Sequence, residues 1–448
     1  MSTKMDFICI SNDVTANERC RKCCDEFHFN YKWVDNVDSF SDLEAHEQEA
    51  HVILLSAHHV QEPNQVAGMI QIARQFAVDS FIIVVVDKKA SAESTQFMKK
   101  SGANLVLLEN EFFHASKLEF VATQKIKADL IPFKSSELVL GSTVGFKAYH
   151  MLPLNQKLLP VLSIGQEVTE TKLKKMLDVG ELYIRKECLP KYAEYLKNNQ
   201  DLSAQGLAAR CRAQFLLLTA GFAELALLIA DQSEVGSFSA GKALFDQILH
   251  YSKEMLISLG TIGDAYQIIN NSSLGEFSSM SRSPAIAAYA GLVSLLSDVG
   301  DSEDIMVSAL LSDLGMLEMP PHITYHLKTQ SYKSLHPEDQ NIYCNHPVQS
   351  VNLCLSRKIQ LSEKMKTIIM ATHERKDMQG FPHRMEPEKI PLEAQLIQYC
   401  ELLDQHCLVR MGQERKNPKT EQKIIFEQEM TQGGRFSPVF LNHIKSAI

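Results

Sequence analysis

Strand-forming residues in the first part of the chain gather into short β-rich runs: Phe7-Ile8-Cys9-Ile10, Tyr31-Lys32-Trp33-Val34, Val52-Ile53-Leu54-Leu55, Phe81-Ile82-Ile83-Val84-Val85-Val86 and Leu105-Val106-Leu107-Leu108, all but the second continuously apolar. Each run has the length of a strand, and the amphipathic stretches between them are long enough for crossover helices. Continuous rather than alternating apolarity predicts a parallel sheet covered on both faces. Ser101-Gly102-Ala103-Asn104 predicts a helix stop ahead of the fifth strand.

The texture changes over residues 135 to 200. Leu138-Val139-Leu140, Gly145-Phe146-Lys147-Ala148-Tyr149 and Leu158-Leu159-Pro160-Val161-Leu162 read as short strands between glycine and proline punctuation. Thr169 to Asp178 predicts a helix, Leu182-Tyr183-Ile184 a strand and Pro190 to Lys197 a closing helix. From Leu202 onward, apolar residues recur at three and four spacing in 207–230, 240–258, 285–297, 304–314 and 364–372, which predicts an all-α bundle. The expected architecture is multidomain: an α/β domain over 1–130, a small α+β module over 135–200 and a helical bundle over 201–448.

Composition narrows the class. A chain of 448 residues exceeds what one core usually organises. With 54 acidic against 45 basic side chains the net charge is −9, and no concentrated basic face offers itself to nucleic acid. The start, Met1-Ser2-Thr3-Lys4-Met5-Asp6, lacks the succession of a secretory signal, so a cytoplasmic protein with reduced thiols at its ten cysteines is expected. The apolar segment Phe215 to Ala230 is broken by Thr219, Gly221 and Glu224 and is short for a bilayer, so a buried helix is expected there instead of a membrane span.

The order of elements over the first 130 residues resembles the receiver domain of bacterial response regulators. That resemblance implies a phosphoacceptor aspartate ending the third strand, acidic Mg²⁺ ligands after the first and a lysine after the fifth. Here the third strand ends in Ser56, the first runs into Ser11-Asn12-Asp13, the fourth into Asp87 and the fifth into Glu109-Asn110. Without a carboxylate at 56 there is no nucleophile for phosphoryl transfer, and no lysine near 109 to neutralise the transferred charge. A pseudo-receiver that docks or dimerises is expected.

The helical region carries the functional signal. Leu310-Leu311-Ser312-Asp313-Leu314-Gly315-Met316-Leu317-Glu318-Met319-Pro320 is followed by Asn345-His346-Pro347, then by Thr372-His373-Glu374-Arg375-Lys376-Asp377-Met378-Gln379-Gly380-Phe381-Pro382, and near the end by Gly434, Phe436 and Pro438. This series resembles the HD-GYP family of cyclic di-GMP phosphodiesterases over roughly residues 275 to 445. The family's activity implies a cluster of two or three metal ions held by histidines and carboxylates, which generates hydroxide. Matched position by position, Glu276, Asp313, His346, His373 and Glu401 keep acidic or imidazole ligands. Met280, Ser312 and Thr372 replace expected histidines, Met316 replaces a lysine and Gln395 an arginine. The loop Gly380-Phe381-Pro382 differs from the family's Gly-Tyr-Pro by one hydroxyl, and in the family that loop is associated with contacts to diguanylate cyclase (GGDEF) domains.

A binuclear hydrolytic site is therefore not expected. The resemblance implies a catalytically inactive bacterial signalling protein that acts through protein partners, among them GGDEF-domain proteins, with cyclic di-GMP as a candidate ligand and a homodimer as a candidate assembly. No cofactor is expected; the alternative is one weakly bound Fe or Mn ion. A metal-dependent phosphodiesterase with a reduced site is the competing function, and a bundle of the related HDOD type is a third reading. In isolation Asp313 reads as a turn cap, His346-Pro347 as a helix start and His373 as a core histidine.

Two further groups invite a metal. Cys20, Cys23, Cys24 and His28 share one predicted helix face, but four ligands on a straight helix cannot easily surround one ion, so burial is expected. His58-His59 follows the third strand and is expected as a solvated pair on a loop. Around the helical site, the nearest cations in sequence are Arg375, Lys376 and Arg384.

Overall fold

The computed structural model describes residues 5–127, 130–152, 157–234, 238–273, 280–407 and 415–448. Five parallel strands form where the β-rich runs predict them: β1 (Met5–Ile10), β2 (Tyr31–Val34), β3 (Ala50–Ser56), β4 (Phe81–Val86) and β5 (Leu105–Leu108). Their order is β2-β1-β3-β4-β5. Side chains alternate between the two faces. Phe7, Cys9, Val52, Leu54, Ile83 and Val85 therefore join one buried cluster, while Ile8, Ile10, Ile53, Leu55, Ile82 and Val84 join another. The first cluster runs on without a break into the helical region.

A second, antiparallel sheet has the order β6-β11-β8-β9, from β6 (Leu130–Lys134), β8 (Ala148–Leu152), β9 (Lys157–Leu162) and β11 (Glu181–Arg185), and β7 (Thr143–Val144) pairs with β10 (Gln166–Glu167). The stretch 130–134, to which the sequence assigns no element, is an edge strand paired with β11, and the strand expected at Leu138-Val139-Leu140 is not formed. The Val139 N–H is satisfied by the Tyr195 hydroxyl at 2.8 Å instead of by a neighbouring strand.

The helical region begins with Ala204–Ala230, which packs along the helix Phe238–Gly260. At 27 residues it is longer than its apolar part suggested, and by length and composition it is apolar enough to cross a membrane. Yet 72% of its most apolar window is buried within the protein. Its place is that of a core helix.

Three sets of contacts tie the sheet domain to this region. Asp231, just past the long helix, accepts from the Val106 N–H at 3.1 Å and pairs with Lys99, which covers the exposed edge at β5. Ser116 donates to the Met319 carbonyl at 2.8 Å. Arg19 forms a two-pronged pair with Glu119 at 2.6 and 2.8 Å, and the Tyr325 hydroxyl donates to the same carboxylate.

Candidate metal centre and the cleft above it

The helix Ser302–Leu311 stops at Ser312, and the turn Leu314–Glu318 is drawn against the helix His346–Ser356. Ser350 ties the two, donating to the Ser312 carbonyl at 2.6 Å and accepting from the Gly315 N–H at 2.7 Å. A Cβ on Gly315 would stand 2.2 Å from the His346 carbonyl oxygen, so the close approach needs glycine. That approach carries Asp313 to the start of the helix that bears His346.

Asp313, His346 and His373 converge there. His346 Nε2 lies 3.1 Å from His373 Nε2 and 3.4 Å from Asp313 Oδ1, and His373 Nε2 lies 3.9 Å from the same oxygen. Glu401, on the helix Leu392–Cys407, stands 3.5 Å from His373 Nδ1. His346 Nδ1 is 2.7 Å from the Tyr343 carbonyl, which can only accept, so that nitrogen carries the proton and Nε2 presents a lone pair. His373 Nδ1 faces the Glu401 carboxylate, with the same consequence for its Nε2.

The surroundings favour a charged Asp313 and a neutral His373, and they disfavour charge on Glu401. Burial raises the Asp313 carboxyl, but the hydrogen bond and charge of His346, then His373 and Arg282, outweigh it and hold it below the usual carboxylate range. Burial, then His346, drives His373 down to about 3 against the pull of Asp313. Burial, then the Asp313 charge, raises Glu401 to about 7 in spite of Arg282 and His346. A carboxylate and two imidazoles thus share one centre. Two nitrogens about 2.1 Å from one ion and roughly at right angles stand about 3 Å apart, which is the spacing of the two Nε2 atoms. The donor set fits the alternative of one divalent ion, and the expectation of no cofactor is corrected to that extent.

The replaced positions are not ligands in another guise. Ser312 and Thr372 are both buried, and each hydroxyl donates at 2.9 Å to a carbonyl of its own helix, Ala309 and Ile369 respectively. Met280 is buried beside Phe215, Thr219 and Phe222 of the long helix, away from the centre. Met316 lines the cleft where a lysine was implied. Glu276 lies outside the described residues.

The loop Gly380-Phe381-Pro382 closes one side. Phe381 stacks on the His373 ring at 4.7 Å, and its N–H donates to the His373 carbonyl at 3.2 Å. Buried Glu374 accepts from the His383 and Met385 N–H groups at 2.6 and 2.9 Å, and Asp377 holds Arg375. The loop therefore fixes the ring that carries the ligand nitrogen.

Above the centre opens a cleft of about 800 Å³, walled by the helical region and by Glu26, Phe27, His28 and Lys127 of the sheet domain. Sequence reasoning missed five of its cations, Lys127, Arg282, Lys328, Lys333 and Arg435, and of the three it named only Arg375 lines the cleft. Arg282 follows the replaced Met280 by two residues and Arg435 sits inside the Gly434-to-Pro438 motif, which was the available signal. Arg282 pairs with Asp404 at 2.5 Å and donates to the Glu401 carbonyl at 3.3 Å; Gln395, where the family has arginine, accepts from the Ser437 N–H at 2.7 Å.

In the sheet domain, Cys20, Cys23 and Cys24 are buried while His28 is an exposed helix cap. The His58-His59 expectation is corrected by half. His59 is 61% exposed but His58 is buried, because Ser56 Oγ, at the end of β3, holds its Nδ1 at 2.9 Å and Asp13 Oδ2 lies 3.3 Å from its Nε2.

Residues 265–432 match the family model described as the HD domain, a span that contains Asp313, His346, His373 and Glu401. Among solved structures, the chain overlays on Bd1817, a HDG"Y"P protein from Bdellovibrio bacteriovorus, at 16% identity and a TM-score of 0.41, over 71% of this chain and 99% of that one. No curated protein matches the chain.

Proposed function

We propose that this chain, with an HD domain over residues 265–432, is a catalytically inactive signalling protein of the HD-GYP type that works by binding partners. The observation that carries this reading is the direction of the Ser312 and Thr372 hydroxyls. Both are spent on backbone carbonyls, so with Met280 turned away, Asp313, His346, His373 and Glu401 serve one ion instead of two. Phosphodiester hydrolysis by paired metals needs one ion on each side of the displacement. Fe or Mn bound by these four residues would neutralise charge and clamp the helices that carry them.

The cleft supports a regulatory role, because its walls come from both the receiver-like domain and the HD domain. The helix Val14–Phe27 meets its rim through Glu26, which pairs with Lys328 at 2.9 Å. Protein partners rank above a nucleotide, since Arg282, Arg375 and Arg435 already face Asp404, Asp377 and Glu429. Met378, Gln379, His383 and Arg384 present the exposed side of the loop to a partner such as a GGDEF domain. Cyclic di-GMP is the second reading, favoured by the size and cations of the cleft.

The test measures metal content by mass spectrometry after growth with added Mn and Fe, and cyclic di-GMP turnover on the same sample. One ion or fewer per HD domain with no turnover is expected. Two or more ions there with hydrolysis would sink the proposal in favour of a reduced but working phosphodiesterase.

A further inference from the structure

Outside the HD domain, the described residues contain one other group of converging imidazole and carboxylate donors: Asp13, His58 and His59. We propose that these three residues form a second cation site, specific for a divalent transition ion such as Zn²⁺, at the carboxyl edge of the parallel sheet.

The placement follows from the fold. With strand order β2-β1-β3-β4-β5, chain direction switches sides between β1 and β3, and ligands of open α/β sheets sit in the crevice outside that switch. Asp13 follows β1, and His58 and His59 follow β3, so the topology brings them together across 45 residues of chain.

The spacing suits one ion. Asp13 Oδ2 lies 3.3 Å from His58 Nε2 and 3.7 Å from His59 Nε2. Donors about 2.1 Å from a tetrahedral ion stand about 3.4 Å from one another. Each fixed donor has a supporting partner of the kind metal ligands need. Ser56 Oγ engages His58 Nδ1 at 2.9 Å and leaves Nε2 for the ion. Thr15 gives Asp13 Oδ1 a backbone N–H at 2.9 Å, and its hydroxyl lies 2.8 and 2.7 Å from the two carboxylate oxygens, which orients the carboxylate. Exposed His59 can swing to complete the set and leave a fourth position to water.

Two imidazoles with one carboxylate select borderline ions; Mg²⁺ prefers an all-oxygen shell. A bound ion would tie the β3 loop to the amino end of the helix Val14–Phe27, whose other end forms the cleft rim.

The experiment uses untagged full-length protein, stripped with chelator, kept reduced and dialysed against micromolar Zn²⁺ with millimolar Mg²⁺ present. A His346→Ala/His373→Ala variant removes the HD centre and is expected to retain one Zn²⁺ per chain. Adding His59→Ala, at an exposed side chain, is expected to cut that retention at least tenfold. Asp13→Asn, which keeps a capping side chain, is expected to do the same. Co²⁺ in place of Zn²⁺ is expected to show visible absorption that H59A abolishes. Zn²⁺ retention that H59A and D13N leave unchanged, or an HD-centre variant that binds none, overturns the proposal without bearing on the HD centre.

Discussion

His346 and His373 point their Nε2 atoms at each other across 3.1 Å, each with its Nδ1 engaged elsewhere, by the Tyr343 carbonyl and by Glu401. Two lone pairs at that distance repel unless a cation or a proton lies between them. Mn²⁺ added to stripped protein is therefore expected to raise the melting temperature, and His373→Ala to abolish the rise. A shift that survives H373A in a protein also lacking His59 would show that the ion binds elsewhere.

Gly315 offers a test that touches no ligand. A Cβ there would collide with the His346 carbonyl oxygen at 2.2 Å, so Gly315→Ala must push Asp313 and His346 apart. Overpacking of this kind costs about 1–3 kcal/mol. G315A should lower stability by that order and weaken Mn²⁺ binding at least tenfold; unchanged affinity would mean that the donors do not act together.

Arg19 and Glu119 are 9% and 6% exposed, and Tyr325 of the HD domain shares the same carboxylate. Removing one partner of a buried pair costs about 3–5 kcal/mol because the other charge is stranded. Arg19→Ala should reduce stability by about that much in urea unfolding and loosen the contact between the two domains, read as faster limited proteolysis. Arg19→Ala/Glu119→Gln should recover part of the loss.

Asp377 gives a pH dependence. Burial raises its carboxyl, but the hydrogen bond from Arg375 and the Gln379 N–H outweigh it and lower the pKa. A depressed carboxyl contributes stability that is fully present above its unfolded value of about 3.8 and is lost as pH falls through the lower folded value. Wild type should therefore exceed Asp377→Asn by about 1 kcal/mol at pH 7, a modest figure for a half-buried pair, with the gap closing in acid below pH 4. An equal gap at both pH values would show that the charge is not its source.

The sequence by itself determined the parallel sheet, since continuous apolar runs admit little else, and the helical region, since three and four spacing does not suit a strand. It missed β6 because Pro132 interrupts Leu130-Ile131-Pro132-Phe133-Lys134; such a run is tolerated at a sheet edge, where β6 lies. Leu138-Val139-Leu140 was overread because three apolar residues cannot reveal that a tyrosine hydroxyl, and not a strand, waits for the backbone.

Motif order likewise made Asp313, His346, His373 and Glu401 legible, because each sits at a fixed place in a series. Only the tertiary structure decided which way Ser312 and Thr372 turn, that Arg282 stands over Glu401 and Asp404, and that His58 is buried against Asp13. Those are matters of direction and of distance between residues far apart in the chain. Spacing along a sequence carries neither, and both follow only when helices and strands pack.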